Sequence, residues 1–115
     1  MKLVVLAALV AALVVPAAQG AGTATTLNGT VGPGFTITLK KGSAKVTKLK
    51  AGSYKFVISD KSSAHNFHLK GPGVNKMTSV GDTGSKTWKV TLKKGKYTYV
   101  CDPHATSMKG SFTVA

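Results

Sequence analysis

From Phe35 onward, apolar and polar side chains alternate in short runs. Phe35, Ile37 and Leu39 alternate with Thr36, Thr38 and Lys40; Tyr54, Phe56 and Ile58 with Lys55 and Ser59; Trp88, Val90 and Leu92 with Lys89, Thr91 and Lys93. A period of two marks strands with one face on a core and the other in water. Tyr97–Cys101 and Gly110–Val114 are similarly rich in aromatic and β-branched residues, and Gly-Ser, Gly-Pro-Gly and Lys-Lys-Gly clusters punctuate the gaps. Beyond the first 20 residues no useful length has helical period, so the pattern predicts an all-β fold of seven to eight short strands, a two-sheet antiparallel sandwich or barrel. Ala21–Thr26, small and polar, reads as a short flexible lead.

The chain begins differently. Met1-Lys2 followed by the apolar run Leu3–Val15 has the form of a secretory signal, too short to span a bilayer. The small residues of Pro16–Ala21 favour cleavage after Gly20; Ala18 and Ala21 are alternatives, and an uncleaved anchor is a lesser one. The expected organisation is a signal peptide over residues 1–20 and one domain over 21–115, exported to the periplasm or the cell exterior and without a transmembrane span after cleavage. The domain has room for one core and none for a separate catalytic unit, and a monomer is expected.

All 16 cationic residues are lysine, against three aspartates and no glutamate; losing Lys2 with the signal lowers the formal charge from +13 to +12. That excess favours acidic redox partners or an anionic cell-envelope surface. Nucleic acid is disfavoured by export and by the lack of arginine for bidentate contacts. Lys45, Lys55, Lys89 and Lys93 alternate with apolar residues, as the solvated face of a sheet should.

A single cysteine in an exported protein cannot form an internal disulfide, which leaves a buried thiol, an intermolecular bridge or a metal ligand. Cys101, His104 and Met108 fall within eight residues, between two strand-like segments. Thiolate, imidazole and thioether together suit copper, whose electron-transfer centres use two histidines, a cysteine and a weak axial methionine. Pro103 stiffens the turn. For the second imidazole, Ser63–Leu69 offers His65 and His68. If that segment is extended, His65, Phe67 and Leu69 face one side and Asn66, His68 and Lys70 the other. The apolar company of His65 makes it the favoured ligand, with His68 in reserve.

His65-Asn66, the strand Tyr97–Cys101, and Cys101-Asp102-Pro103-His104 followed by Met108-Lys109-Gly110 resemble the plastocyanin, pseudoazurin and amicyanin group of cupredoxins. The resemblance runs from about Phe35 to Val114. It implies a Greek-key β-sandwich holding one type 1 copper ion through His65, Cys101, His104 and Met108 and passing single electrons between larger redox partners. It also implies that Asn66 ties the two ligand-bearing segments together near the cysteine. The chain departs from plastocyanin in a shorter His-to-Met interval and in lacking an acidic surface.

The principal alternative is an exported protein that buffers or delivers copper; a second is a metal-free sandwich whose lysines bind anionic polymer. Enzymatic readings are weaker. A reactive second copper needs further histidines, and only His68 remains; zinc hydrolysis lacks a glutamate base; a cysteine nucleophile lacks an orienting third group.

Overall fold

The computed structural model describes residues 24–115; the expected signal peptide lies outside them. The fold is all-β, in two five-stranded sheets. One contains β1 (Thr25–Val31), β2 (Ile37–Lys41), β3 (Ala44–Lys45), β5 (Gly52–Asp60) and β8 (Gly84–Leu92), in the order β3-β2-β1-β5-β8. The other contains β4 (Lys48–Leu49), β6 (His68–Gly71), β7 (Val74–Met77), β9 (Gly95–Val100) and β10 (Lys109–Val114), in the order β4-β10-β9-β6-β7.

The described residues thus form ten strands rather than seven or eight, and the sheets are mixed rather than antiparallel. β1 runs parallel to β5 from Thr25↔Tyr54 to Val31↔Asp60, and β4 runs parallel to β10. The polar lead expected at Ala21–Thr26 ends sooner than the sequence suggested, because Thr25 and Thr26 already belong to β1. Asn28-Gly29 at the centre of β1 resembles a turn signal, but Gly29 serves packing. A Cβ there would stand 2.6 Å from Ile58 Cδ1 and 2.9 Å from the Phe67 ring, so the strand can lie on the core only without a side chain.

Alternation builds the core as expected along β5, β8, β9 and β10. Phe56, Ile58, Leu92, Tyr97, Tyr99 and Phe112 are buried between the sheets with Leu27, Leu39, Phe67 and Leu69. Phe67 stacks on Tyr99 at 5.5 Å between ring centroids, and Tyr97 on Phe112 at 5.2 Å. The Tyr97 hydroxyl donates to the Lys93 carbonyl and accepts from the Lys93 amide, both at 2.9 Å, which satisfies its polar end and clamps the β8–β9 turn.

Phe35 departs from its alternation. It precedes β2 and is 69% exposed. The Gly32–Thr36 turn, closed by Gly32 N–H donating to the Thr36 carbonyl at 2.9 Å, carries it out of register with Ile37 and Leu39.

Strand direction gives the sandwich two distinct ends. Val31, Asp60 and Gly84 share one row of the first sheet, and Lys109, Val100, His68 and Met77 one row of the second. The loops beyond these rows carry His65, Cys101, His104 and Met108, while the reserve candidate His68 stands in the row itself. At the other end lie the turns around Gly42, Ala51, Gly73 and Lys94.

A Cβ at Gly71 would overlap the Tyr97 ring, which its stacking and hydrogen bonds hold in place, whereas one at Gly81 meets nothing within 4 Å. Gly71→Ala is therefore expected to destabilise the domain by about 1–3 kcal/mol, a typical overpacking cost. Gly81→Ala should stay within about 0.5 kcal/mol. Urea unfolding with coincident midpoints for the two variants would contradict this packing.

Candidate metal centre

Three loops meet beyond the ends of β1, β5 and β9. The segment after β5 turns back at once: Asp60 Oδ1 accepts from the Ser62 amide at 2.9 Å, and Ser62 Oγ accepts from the Ala64 amide at 3.1 Å. This turn delivers His65 inward. Burial pushes the Asp60 carboxyl above its usual range, and the Ser62 amide offsets that only partly.

Cys101 immediately follows β9 and is fully buried. Its amide donates to the Met108 carbonyl at 3.0 Å, extending the β9–β10 ladder across the loop mouth. Within the loop, Asp102–His104 makes a 3-10 turn in which His104 N–H donates to the Cys101 carbonyl at 3.0 Å. Pro103 occupies the first turn, where its missing N–H leaves no bond unmade. The Met108 amide donates to the His104 carbonyl at 2.8 Å, so Met108 is buried where the loop rejoins the sheet.

His65, Cys101 and His104 come together as metal donors. His65 Nδ1 and His104 Nδ1 are 3.1 Å apart, and Cys101 Sγ is 3.7 and 3.6 Å from them. A circle through a triangle with these sides has a radius of about 2.0 Å, close to the bond length of imidazole to a first-row metal ion. Three lone-pair donors converging on one point fit a single ion. The soft thiolate among them, with the Met108 thioether on the same loop, selects copper over harder cations.

Asn66 supplies the tie between segments. Its Oδ1 accepts from the Asp102 amide at 2.7 Å, and its Nδ2 donates to Asp102 Oδ2 at 2.7 Å and to the Thr78 carbonyl at 3.2 Å. The Asn66 amide donates to Cys101 Sγ at 3.4 Å, a contact that orients the sulfur.

His68 does not join the donor triangle. Strand parity predicts it on the polar side, and it does point away from His65, yet it is buried. Nδ1 donates to the Asp102 carboxylate at 2.8 Å, and Nε2 meets the Asn75 side chain. Parity placed His65, Phe67 and Leu69 inward but could not foresee that Thr78, Asn75 and Asp102 would cover Asn66 and His68.

Partial burial alone would raise the Asp102 carboxyl, but hydrogen bonds from Asn66 and His68 outweigh it and hold the group below the usual carboxylate range. A depressed folded value contributes stability above the ordinary carboxylate pKa and loses it as pH falls through the folded value. The tie is therefore complete at neutral pH and loosens only in acid.

Sequence reading missed the place of Phe35. Its ring stands edge-on to both imidazoles, 5.4 Å from His65 and 5.0 Å from His104 between centroids. Gly32 permits this approach: it has φ +73°, and a Cβ there would come within 2.9 Å of Ser62. His104 is half-exposed beside Phe35, while His65 and Cys101 are buried.

A family model described as copper-binding proteins, plastocyanin/azurin family, matches residues 34–115. Among solved structures, reduced rusticyanin superposes with a TM-score of 0.60 at 20% identity over 82% of each chain. Auracyanin A, a "blue" copper protein from Chloroflexus aurantiacus, superposes at 0.52 with 16% identity, covering 81% of this chain and 100% of that one. Reduced auracyanin from Roseiflexus castenholzii superposes at 0.56 with 22% identity, covering 82% and 99%. These likenesses establish a cupredoxin fold. No curated protein sequence matches the chain.

The triangle and the tie assign different roles to the two buried histidines. His65→Ala should abolish the blue thiolate-to-copper absorption of the Cu(II)-loaded protein, and His68→Ala should keep it while lowering stability. Absorption spectra of both variants decide the point; loss of colour in His68→Ala with retention in His65→Ala would reverse the assignment.

Proposed function

Because the chain belongs to the plastocyanin/azurin family of copper-binding proteins, we propose that it is an exported blue copper protein that carries single electrons between larger redox partners. The observation that carries this reading is the triangle of His65 Nδ1, His104 Nδ1 and Cys101 Sγ, with sides of 3.1, 3.6 and 3.7 Å. Met108 is proposed as a fourth, weaker ligand. Copper held by these residues would supply a Cu(I)/Cu(II) couple for one-electron transfer.

The protein's contribution is rigidity and access. Three of the four proposed ligands share a loop closed by the Cys101–Met108 hydrogen bond, and Asn66 fastens the segment of His65 to it. Donors so fixed move little when the charge on the metal changes. The burial of His65 and Cys101 keeps water from the donor atoms, and the half-exposed His104 beside Phe35 offers a partner its shortest route. A rigid, mostly buried donor set suits electron transfer better than metal delivery, which needs ligands that open. Nor is a catalytic role proposed: His68, the one imidazole outside the triangle, is held by Asp102 and Asn75 and is not available to a second copper.

Metal titration followed by mass spectrometry should show one copper per chain, and Cys101→Ser should abolish binding or leave it colourless. A stoichiometry of two, or an intact blue band in that variant, would overturn the reading. Met108→Leu removes the thioether at similar volume and should preserve the blue centre with a raised reduction potential. Voltammetry showing an unchanged potential would remove Met108 from the coordination sphere.

A further inference from the structure

The charges of this domain are segregated along the sandwich. All three aspartates lie at the metal end: Asp60 closes β5, Asp82 sits in the loop before β8, and Asp102 follows Cys101. Lys61 and Lys109 share that end, so its charges nearly cancel. The opposite end carries exposed Lys41, Lys48, Lys50, Lys93, Lys94 and Lys96 with no acidic side chain among them.

These six are brought together by the topology. Lys41, Lys48 and Lys50 line one shallow concavity with Thr25, Leu49, Tyr54 and Ala115, among which no side chain is acidic. Lys48 and Lys96 both pair with Thr113, on strands either side of β10, so their side chains share a sheet face. Lys93 and Lys94 form the turn from β8 to β9 beside them. Among the described residues no lysine forms a salt bridge. Like charges crowded on one end repel unless an anion meets them.

We infer that this end is a docking surface for an anionic phospholipid bilayer, which leaves the metal end pointing away from the lipid towards its redox partners. Two observations favour a bilayer over a soluble acidic protein. The lysines stand on turns at the end of the sandwich, an array that a planar charged surface can meet at once. Thr25, the first residue of β1, lines the same concavity, so the segment bearing the apolar run Leu3–Val15 joins the domain at this end. Export would bring that segment to the membrane first. The inference rests on the proposed export; the copper reading is tested separately by the blue band.

The test uses the copper-loaded protein as exported, from Ala21, which retains every described strand. Co-sedimentation with phosphatidylglycerol-containing vesicles at physiological salt should show binding that uncharged phosphatidylcholine vesicles do not. Each lysine near an anionic surface contributes roughly a factor of five in binding. Substituting Lys41→Gln, Lys48→Gln and Lys50→Gln together, or Lys93→Gln, Lys94→Gln and Lys96→Gln together, should therefore weaken binding roughly a hundredfold. The control triple Lys55→Gln, Lys86→Gln and Lys89→Gln, with the same change in net charge, should weaken it far less. All variants should keep the blue band, which reads fold and copper site independently of lipid. Equal losses from the end and control triples would reduce the effect to net charge and overturn the inference. So would capture by soluble polyphosphate without vesicle binding, or no vesicle binding by the unaltered protein.

Discussion

Asn66 and Asp102 exchange two hydrogen bonds, amide to side-chain oxygen and side-chain amide to carboxylate, both at 2.7 Å. They join the segment carrying His65 to the loop carrying Cys101, His104 and Met108, which are otherwise separated by more than thirty residues of chain. Neither partner can leave cheaply. Asn66 is buried, so its amide would lose hydrogen bonds without regaining water, a cost of about 1–3 kcal/mol for a typical buried group. The carboxylate also holds His68, which reaches across to Asn75 on β7. One aspartate thereby connects the ligand loop to the edge of the second sheet, and the donor triangle inherits its geometry from that connection.

The triangle draws two imidazole nitrogens to within 3.1 Å of one another and both to within 3.7 Å of the Cys101 sulfur. The surrounding fold holds them there through strand ends, a 3-10 turn and the Phe35 ring, so little reorganisation is left for the donors on loading or on a change of charge. Preorganisation of this kind favours a reversible electron carrier and disfavours a protein that must release its metal.

The candidate ligands were legible because three of them fall on one short loop and because a lone cysteine in a chain expected to be exported has few other uses. His65 was legible from parity, since Phe67 and Leu69 share its side. Three features were hidden for physical reasons. β1 contains Asn28-Gly29, which has the composition of a turn, and only the Ile58 and Phe67 side chains pressing on Gly29 explain a strand there. Phe35 continues the alternation of β2 on paper, but the Gly32–Thr36 turn breaks the register, and the ring finds the imidazoles instead of the core. His68 was read on the polar side with Asn66 and Lys70, and its burial there was hidden because its partners Asp102 and Asn75 lie 34 and 7 residues away in sequence. Alternation describes one strand at a time, and the mixed pairing of β1 with β5 and of β4 with β10 is a property of the assembled sheets.

A small sandwich has few places for charge. Its interior is filled by aromatic and aliphatic side chains, so ionic groups must occupy the outer faces or the two ends. The metal end is committed to ligands, and a dense lysine cluster beside the donors would disfavour a positively charged ion there and alter its potential. Lysines concentrated at the far end leave the centre outside the reach of their field, which salt screens over about 8 Å. The same sandwich can then keep a redox centre in a nearly neutral setting while presenting strong positive charge elsewhere. The separation follows from the strands running end to end, with turns that favour polar residues at one end and ligand loops at the other.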